Sequence, residues 1–579
     1  MAAAPHLPNM ANPPNLQNLR NTAFDALSAG LLTGLPKALV SGAELDLLRP
    51  LRFLAPGALP SGPPPPVESV ERAELARALA VSNLSYAHPR ANELAAKLAD
   101  PETRVVVAGQ QSGLLGGPLL GLVKAAAAVR WAEAIEASGT KAVALFWMAT
   151  EDHDWDEAAS AWFPTAEGPR RFSLGDDPQP LAPIGLRTLG AGVVPILDAL
   201  ATEPMDELSR AWLERLRALW RPEARFGEAF ARQMVEILGA RAPLLVDALE
   251  PALKRAEAPH LARLVERRAE LAARFVETDA RLVSRGFRTQ VEPQPGASPL
   301  FLLRGQERRR IEWKGGDRFA LRGLPGEEPV EHLLATLAEN PAIVSPGVLA
   351  RGAIQDAVFG TTLFVVGPGE LSYLAQAAPV YALLGIAAPF VTLRPQVVVL
   401  DQRTRRRQLE SGLDLAHVVA DPEGAERRLG ERSGGGFVAP IRAEIEARIE
   451  SMKDEALALD PTLERPYAKT RESVAHALGS FAARVEAAAA RKDEVVRRRF
   501  AQLRETVRPA GKPQERLISS AHFPLRFASG FGRHLLDQLD LDPRRLSVVV
   551  PDATEASTDE LAVSEGAVTP VGTVPEAGA

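Results

Sequence analysis

Two clusters of polar residues, each directly following an apolar run, hold the side chains of this sequence most suited to chemistry. The first follows Val105–Ala108 and consists of Gly109, Gln110, Gln111, Ser112 and Gly113, with Gly116 and Gly117 close behind. A glycine-rich turn from strand to helix offers backbone N–H groups and a positive helix end, which together suit a phosphate or a carboxylate. Pro118 is well placed as the first helical residue. The spacing is neither GxGxxG nor GxxxxGK[ST], so neither the dinucleotide fingerprint nor the P-loop applies. The alternative is a tight structural turn, although two adjacent glutamines have little packing value at such a corner. Lys124, further along the helix, reads as a solvated lysine.

The second cluster, Glu151, Asp152, His153, Asp154, Asp156 and Glu157, follows the apolar run Ala142–Met148. Like charges this dense cost free energy unless a cation, a proton or a basic group compensates them. The chemistry they suit is Mg²⁺ binding through carboxylates, proton transfer by His153, or recognition of a substrate ammonium. The competing explanation is a helix N-terminus capped by Asp152 or Asp154, but capping needs only one or two acids. Asp152, His153 and Asp154 are therefore the candidate catalytic residues, with Glu151 and Trp147 as candidate ligand contacts.

Further candidates lie at other expected strand ends. Asp247 closes the run PLLVD, and Gly367, Gly369, Glu370 and Tyr373 follow the strand that starts at Thr361. Ser345, Arg351 and Asp356 belong to the segment before that strand. Arg351 could fork onto a carboxylate or phosphate, or form a structural ion pair with Asp356 or Glu370. Arg394, in LRPQ at another strand end, carries the same two readings. No paired metal-ligand spacing occurs among the histidines, and the run Arg403, Arg405, Arg406 and Arg407 reads as a solvated helical face.

These residues need a scaffold that brings strand ends together. Apolar strands alternating with helical stretches predict an α/β fold with a parallel-sheet core, where the ends of Val105–Ala108 and Ala142–Met148 open into one shared cleft. Connecting segments are inserted at about 160–240 and 290–330, the latter alternating with period two around Gly315 and Gly316. The core spans 66–397, preceded over 1–65 by a Pro-rich N-terminal arm ending in SGPPPP, expected to be extended. Over 398–507 the composition shifts to Arg, Glu and Ala with long helical periodicity, interrupted at Ser433–Gly436. Ile441, Ile445, Ile449 and Met452 line one face, as do Phe481, Val485 and Ala488, and then Val496, Phe500, Leu503 and Val507. This predicts an antiparallel helical coiled-coil domain, its seam buried either within the chain or in a homodimer. The chain returns to the core over 508–545, and 546–579 is an acidic tail expected to be disordered.

The chain has 579 residues, 46% hydrophobic and 24% charged, the balance of a water-soluble globular protein large enough for several domains. A net charge of −6 gives no bulk attraction to nucleic acid. Cysteine is absent, which rules out disulfides, thiolate nucleophiles and thiolate metal sites. The N-terminus lacks the basic and apolar regions of a signal peptide, and the apolar stretch Ala377–Leu393 is broken by Pro379, Gly385 and Pro389. A cytoplasmic location and no membrane span are expected.

The ordered set GQQSGLLGGP, FWMATEDHDWDE, VSPGVLARGAIQD, GPGELSY, LRP and PAGKPQER resembles the bacillithiol biosynthesis cysteine-adding enzyme family, from about Asn83 to His534. The GQQ and EDHD elements are specific; LRP alone is not. The long Pro-rich N-terminus and the acidic tail depart from the family pattern. The resemblance implies a Rossmann-like core with connecting insertions, a coiled-coil domain used for dimerisation, and ligation of cysteine to the amino group of glucosaminyl-malate. An amine attacks a free carboxylate poorly, so such a ligase needs an activated acid, most simply through ATP as cosubstrate, and Mg²⁺ is compatible with the acids. Two other classes stay open on sequence alone: a metal-dependent hydrolase using the EDHD acids and Asp247, and a non-catalytic coiled-coil scaffold.

Overall fold

Six parallel strands frame the molecule: β1 (Arg52–Phe53), β2 (Arg104–Gln110), β3 (Ala142–Met148), β4 (Leu244–Asp247), β5 (Thr361–Val366) and β6 (Phe390–Leu393). The computed structural model describes residues 24–551 apart from 68, 166, 293, 295, 431–437, 493 and 529. Every residue of β3 and β5 is buried, the near-continuous apolar run expected of parallel strands covered on both faces. Successive side chains serve opposite layers: Val106 and Ala108 join one hydrophobic cluster, Val105 and Val107 the other.

The sheet order is β1-β6-β5-β2-β3-β4. From β2 the chain adds β3 and β4 on one side, and from β5 it adds β6 on the other. The direction of winding therefore switches between β2 and β5, and the carboxyl ends of strands at such a switch part to leave a crevice. Helix α1 (Leu119–Ala137) follows β2 and is apolar around most of its circumference, so it lies buried against the sheet. Helices α2 (Pro251–Glu266), α3 (Val348–Phe359) and α4 (Pro368–Leu384) supply the other side chains that matter below.

Two insertions interrupt this frame. Between β3 and β4 lie the hairpin Ser160–Thr165 with Gly168–Ser173 and the helices Val193–Ala201, Glu207–Leu219 and Phe226–Leu238. Between β4 and β5 an antiparallel sheet contains Ala297–Arg304, Glu307–Lys314 and Arg318–Leu321, with Gly315 and Gly316 turning the second strand into the third.

Both ends of the chain depart from expectation. Of the arm expected to be extended over 1–65, residues 1–23 lie outside the described residues, and the rest packs on the core. Phe24–Asp25 pairs with Arg545–Val549, Leu35, Leu39 and Leu47 are buried, and Arg52–Phe53 is an edge strand of the main sheet. Short leucine pairs between prolines bury enough surface to fix this segment, which proline content alone conceals. At the other end, Arg545–Val549 pairs in parallel with Gln396–Val399, so the expected tail starts later than 546, and 552–579 lie outside the described residues.

The helical region folds Val438–Ser451 antiparallel to Glu464–Lys492, with the Tyr467 hydroxyl donating to Glu450 Oε2 at 3.0 Å. The interruption at Ser433–Gly436 lies outside the described residues. Of the predicted seams, Phe500, Leu503 and Val507 are buried within the chain against Leu415 and Val418. Ile441, Met452 and Phe481 stay more than half exposed. Arg405 does not belong to a solvated face: it is fully buried, its guanidinium 5.6 Å from the Phe24 ring centroid, and burial lowers its pKa to about 10. Among the described residues no helix is long and apolar enough to cross a membrane.

Candidate functional site

A cavity of about 880 Å³ opens at the switch between β2 and β5. Of the sequence-predicted residues, Gly109, Gln110, Gln111, Glu151, Asp152, His153, Arg351, Gly367, Gly369, Glu370, Tyr373 and Arg394 line it. The glutamine corner and the acidic corner thus face one space, as do the loops after β5 and β6.

The glutamine corner is built differently from a phosphate loop. Lys124 is buried, and its Nζ donates to Gly109 O at 2.7 Å and Gln110 Oε1 at 2.8 Å while pairing with Glu370. It is not the solvated lysine expected: α1 has no wet face at this turn, so the cation struts the β2 and β5 corners together. Burial pulls its pKa down, and Glu370 opposes that pull. Gly109 is required by close strand approach, since a Cβ there would stand 2.9 Å from Trp147 O. Beyond Gln111 the corner is sealed. Leu119 N donates to Ile518 O, Ser519 Oγ donates to Leu115 O, and Ser520 N donates to Gly117 O. Ser112 is fully buried and, with Gly113, lies away from the cavity. The expected anion site at the start of α1 is therefore filled by the returning C-terminal segment, whose position the local glycine pattern does not reveal.

In the acidic corner Asp154 caps the short helix Trp155–Ala158, accepting from Glu157 N at 3.0 Å, and its carbonyl accepts from Gln111 Nε2 at 3.1 Å. It takes the capping role and does not line the cavity. Asp152 and His153 do. His153 Nδ1 faces both Asp152 Oδ1, at 3.8 Å, and Arg308 Nη1, at 3.5 Å. Burial, reinforced by Arg308, lowers the His153 pKa despite Asp152 and Asp154, leaving the ring neutral with a lone pair at physiological pH. Burial raises the Glu157 pKa, and Asp154 and Asp152 add to the effect.

Arg351 and Arg394 also line the cavity. Arg351 Nη2 donates to Tyr373 OH at 3.2 Å and lies 3.8 Å from Glu370 Oε1, whereas Nη1 is buried with no hydrogen-bond partner among the described residues. Glu370 also accepts from Gly367 N at 2.7 Å, closing the first turn of α4. Its pKa stays below the usual range because Lys124 and Arg351 outweigh its burial. Arg394 is committed to a two-pronged ion pair with Glu515.

Four predicted residues serve structure. Trp147 is fully buried edge-on to Phe359. Asp247 accepts from Thr150 Oγ1 and from Leu249 N. Asp356 is buried beneath Tyr381, whose hydroxyl donates to it at 2.7 Å, and burial raises its pKa to about 6. Ser345 accepts from Arg308 Nε at 2.9 Å and so steadies a residue that sequence reasoning missed. Arg308 lies 3.9 Å from the Phe301 ring centroid, with Arg310 5.4 Å away. The period-two ERRRIEW pattern, read for facing as well as for strand, points Arg308 and Arg310 to one side.

Comparison with known proteins follows this architecture. Residues 66–395 match the family model "Bacillithiol biosynthesis BshC, N-terminal Rossmann-like domain", and residues 397–546 match "Bacillithiol biosynthesis BshC, C-terminal coiled-coil domain". The chain belongs to the BshC family. A relative from Solibacter usitatus, named "Putative cysteine ligase BshC", is 28% identical over 472 residues, 80% of this chain and 88% of that protein. One of the same name from Thermus thermophilus is 31% identical over 452 residues, 75% of this chain and 86% of its own length. The junction between the two BshC models falls at Gln396, between Pro395 and Val397, just after the main sheet's strand Phe390–Leu393. The cavity is walled mainly by the Rossmann-like part, and Arg516 enters it from the coiled-coil part.

Proposed function

We propose that this chain is a cysteine ligase of bacillithiol biosynthesis that joins the carboxyl carbon of cysteine to the amino group of glucosaminyl-malate, with ATP activating the carboxylate. The observation that supports this is the meeting, in one cavity, of an acidic corner at Glu151 to His153 with a basic wall at Arg351, Arg308 and the start of α4. Amide formation needs both: cations and helix-end amides for carboxylate or phosphate oxygens, and an acceptor for the proton leaving the amine.

Arg351 offers the buried, unpartnered Nη1 to such an anion. Neutral His153, its Nδ1 facing Asp152 and Arg308, takes the proton. The thiol is a passenger, in keeping with a chain that has no cysteine of its own. Among the described residues no three His, Asp or Glu side chains converge as a metal site, so Mg²⁺ in this reading accompanies nucleotide phosphates. The reaction belongs in the cytoplasm, where ATP and free cysteine meet. The decisive experiment incubates purified protein with ATP, cysteine and glucosaminyl-malate and follows the thiol product by mass. Product dependent on all three supports the reading; none with any nucleotide refutes it.

The same reading includes a homodimer through the helical hairpin, supported by the exposed apolar side chains of Ile441 and Phe481. Sedimentation velocity should show a dimer that Phe481→Glu converts to monomer, and a monomeric wild type would refute it.

A further inference from the structure

Three ionisable side chains form a buried triplet beside the acidic corner, and only one of them borders the cavity. Lys254 Nζ lies 2.6 Å from Glu151 Oε2 and 2.9 Å from Glu257 Oε2, and none of the three residues is more than 3% exposed. Glu151 lines the cavity, while Lys254 and Glu257 stand behind it on α2. Two carboxylates share one ammonium, and Glu151 Oε1 and Glu257 Oε1 have no hydrogen-bond partner among the described residues. As a stabilising device this is poor, because each desolvated charge is costly and one acid of the pair is left uncompensated. As a place to put a proton it is well made: the surplus acid takes one up and the triplet becomes neutral.

We propose that Lys254 and Glu257 act through Glu151 as a proton-storing pair for the site, accepting the proton a substrate ammonium must lose before its nitrogen attacks an acyl group. This rests on the ligase reading. The ammonium N–H gives its proton to the Glu151 carboxylate, Lys254 releases one of its own protons to Glu257, and the Lys254 amine so formed takes up the proton from Glu151. The freed nitrogen lone pair forms the C–N bond, the second N–H proton passes to His153, and the activating group leaves with the C–O bonding electrons. Glu151, Lys254 and Glu257 regain their charges when the proton returns from Glu257 through Lys254 to Glu151, and from there to the leaving group or to solvent in the cavity.

The surroundings agree. The charged groups around the triplet are Asp247 from β4, Arg308 from the inserted sheet and Arg351 from α3. Burial pushes the Glu257 pKa up to about 7 against the pull of Lys254, so the store is close to balance at neutral pH. Lys254 itself keeps its charge, held by its two acids. The triplet titrates as a unit.

The test is Glu257→Gln, which keeps shape and removes the acceptor. In the ligase assay kcat should fall about 100-fold at neutral pH, the lower end of what proton transfer contributes, with KM for cysteine and ATP unchanged. The acid limb of kcat near pH 7 should disappear. A purely structural role would leave that limb in place, and a folded variant whose pH profile superimposes on the wild type overturns the proposal. Infrared difference spectra of the wild type supply a second reading that does not depend on the variant folding. A protonated carboxyl band should titrate near pH 7 and grow on addition of glucosaminyl-malate, which carries the attacking nitrogen. A band that does not titrate in that range overturns the triplet's role. Absence of thiol product from the wild type would instead remove the ligase reading, with the infrared titration still deciding whether the triplet stores a proton.

Discussion

Arg394 and Glu515 hold each other by two parallel hydrogen bonds, 2.8 Å between Nη1 and Oε2 and 2.7 Å between Nη2 and Oε1, both side chains almost wholly buried. Glu515 Oε2 also accepts from Val397 N at 2.9 Å, so one carboxylate fixes the end of β6, the start of the next strand and the returning C-terminal segment. Removing one partner strands the other charge in the interior. Arg394→Ala should therefore cost roughly 3–5 kcal/mol, read as a shift in the denaturant midpoint, whereas the double variant combining Arg394→Met with Glu515→Leu should recover a large part of it. An Arg394→Ala midpoint equal to the wild type would show that the pair carries no such load.

Asp152 and His153 are partly open to the cavity and cap nothing outside their own corner. His153→Ala should lower thiol product formation by roughly 100- to 10,000-fold while leaving the thermal midpoint close to the wild type. A variant with full activity would move the proton acceptor elsewhere.

The buried carboxyl of Asp356 gives stability a pH signature. Its pKa is about 6 in the fold against 3.8 when solvated, so the native state binds more protons than the unfolded chain between those values. Its contribution is fully present below about pH 4, falls as pH rises through about 6, and is then constant, a loss on the order of 2–3 kcal/mol. Urea titrations of wild type and Asp356→Asn across pH 4–7 should show this slope in the former only; parallel curves would contradict it.

Gly116 tests the closure of the glutamine corner. It has φ +81°, and a Cβ there would meet Gln233 Nε2 at 2.1 Å and Ser520 Oγ at 2.2 Å. Gly116→Ala should destabilise by about 1–3 kcal/mol from backbone strain, with the clash adding to it, and should weaken the seating of the C-terminal segment, seen as faster amide exchange around Ser519. Unchanged exchange would mean the corner tolerates a wider turn.

The frame is legible in the sequence because buried parallel strands announce themselves: Ala142–Met148 and the run into Asp247 read as strands with their observed ends, and both insertions sit where period and composition change. The shared hollow is legible for the same reason. Less legible are contacts between residues far apart in the chain. Lys124 reads as solvated because a single helix pattern does not say that all its faces are covered, and Arg405 misleads in the same way. Residues Ser112 to Gly117 read as open because their lid comes from Ile518–Ser520, some four hundred positions later. Lys254 and Glu257 pass for ordinary helix charges, although their spacing of three on an otherwise apolar face is the available clue.

Because Ile518–Ser520 seals the glutamine corner and Arg545–Val549 bridges Gln396–Val399 and Phe24–Asp25, the molecule is laced shut by segments far downstream of the sheet they close. A ribosome that has delivered only the segment up to Gln396 has produced a sheet whose key turn is still bare. Maturation of the pocket therefore waits for segments made well after the sheet, and splitting the gene at the boundary between its two modules would yield halves that need each other to finish.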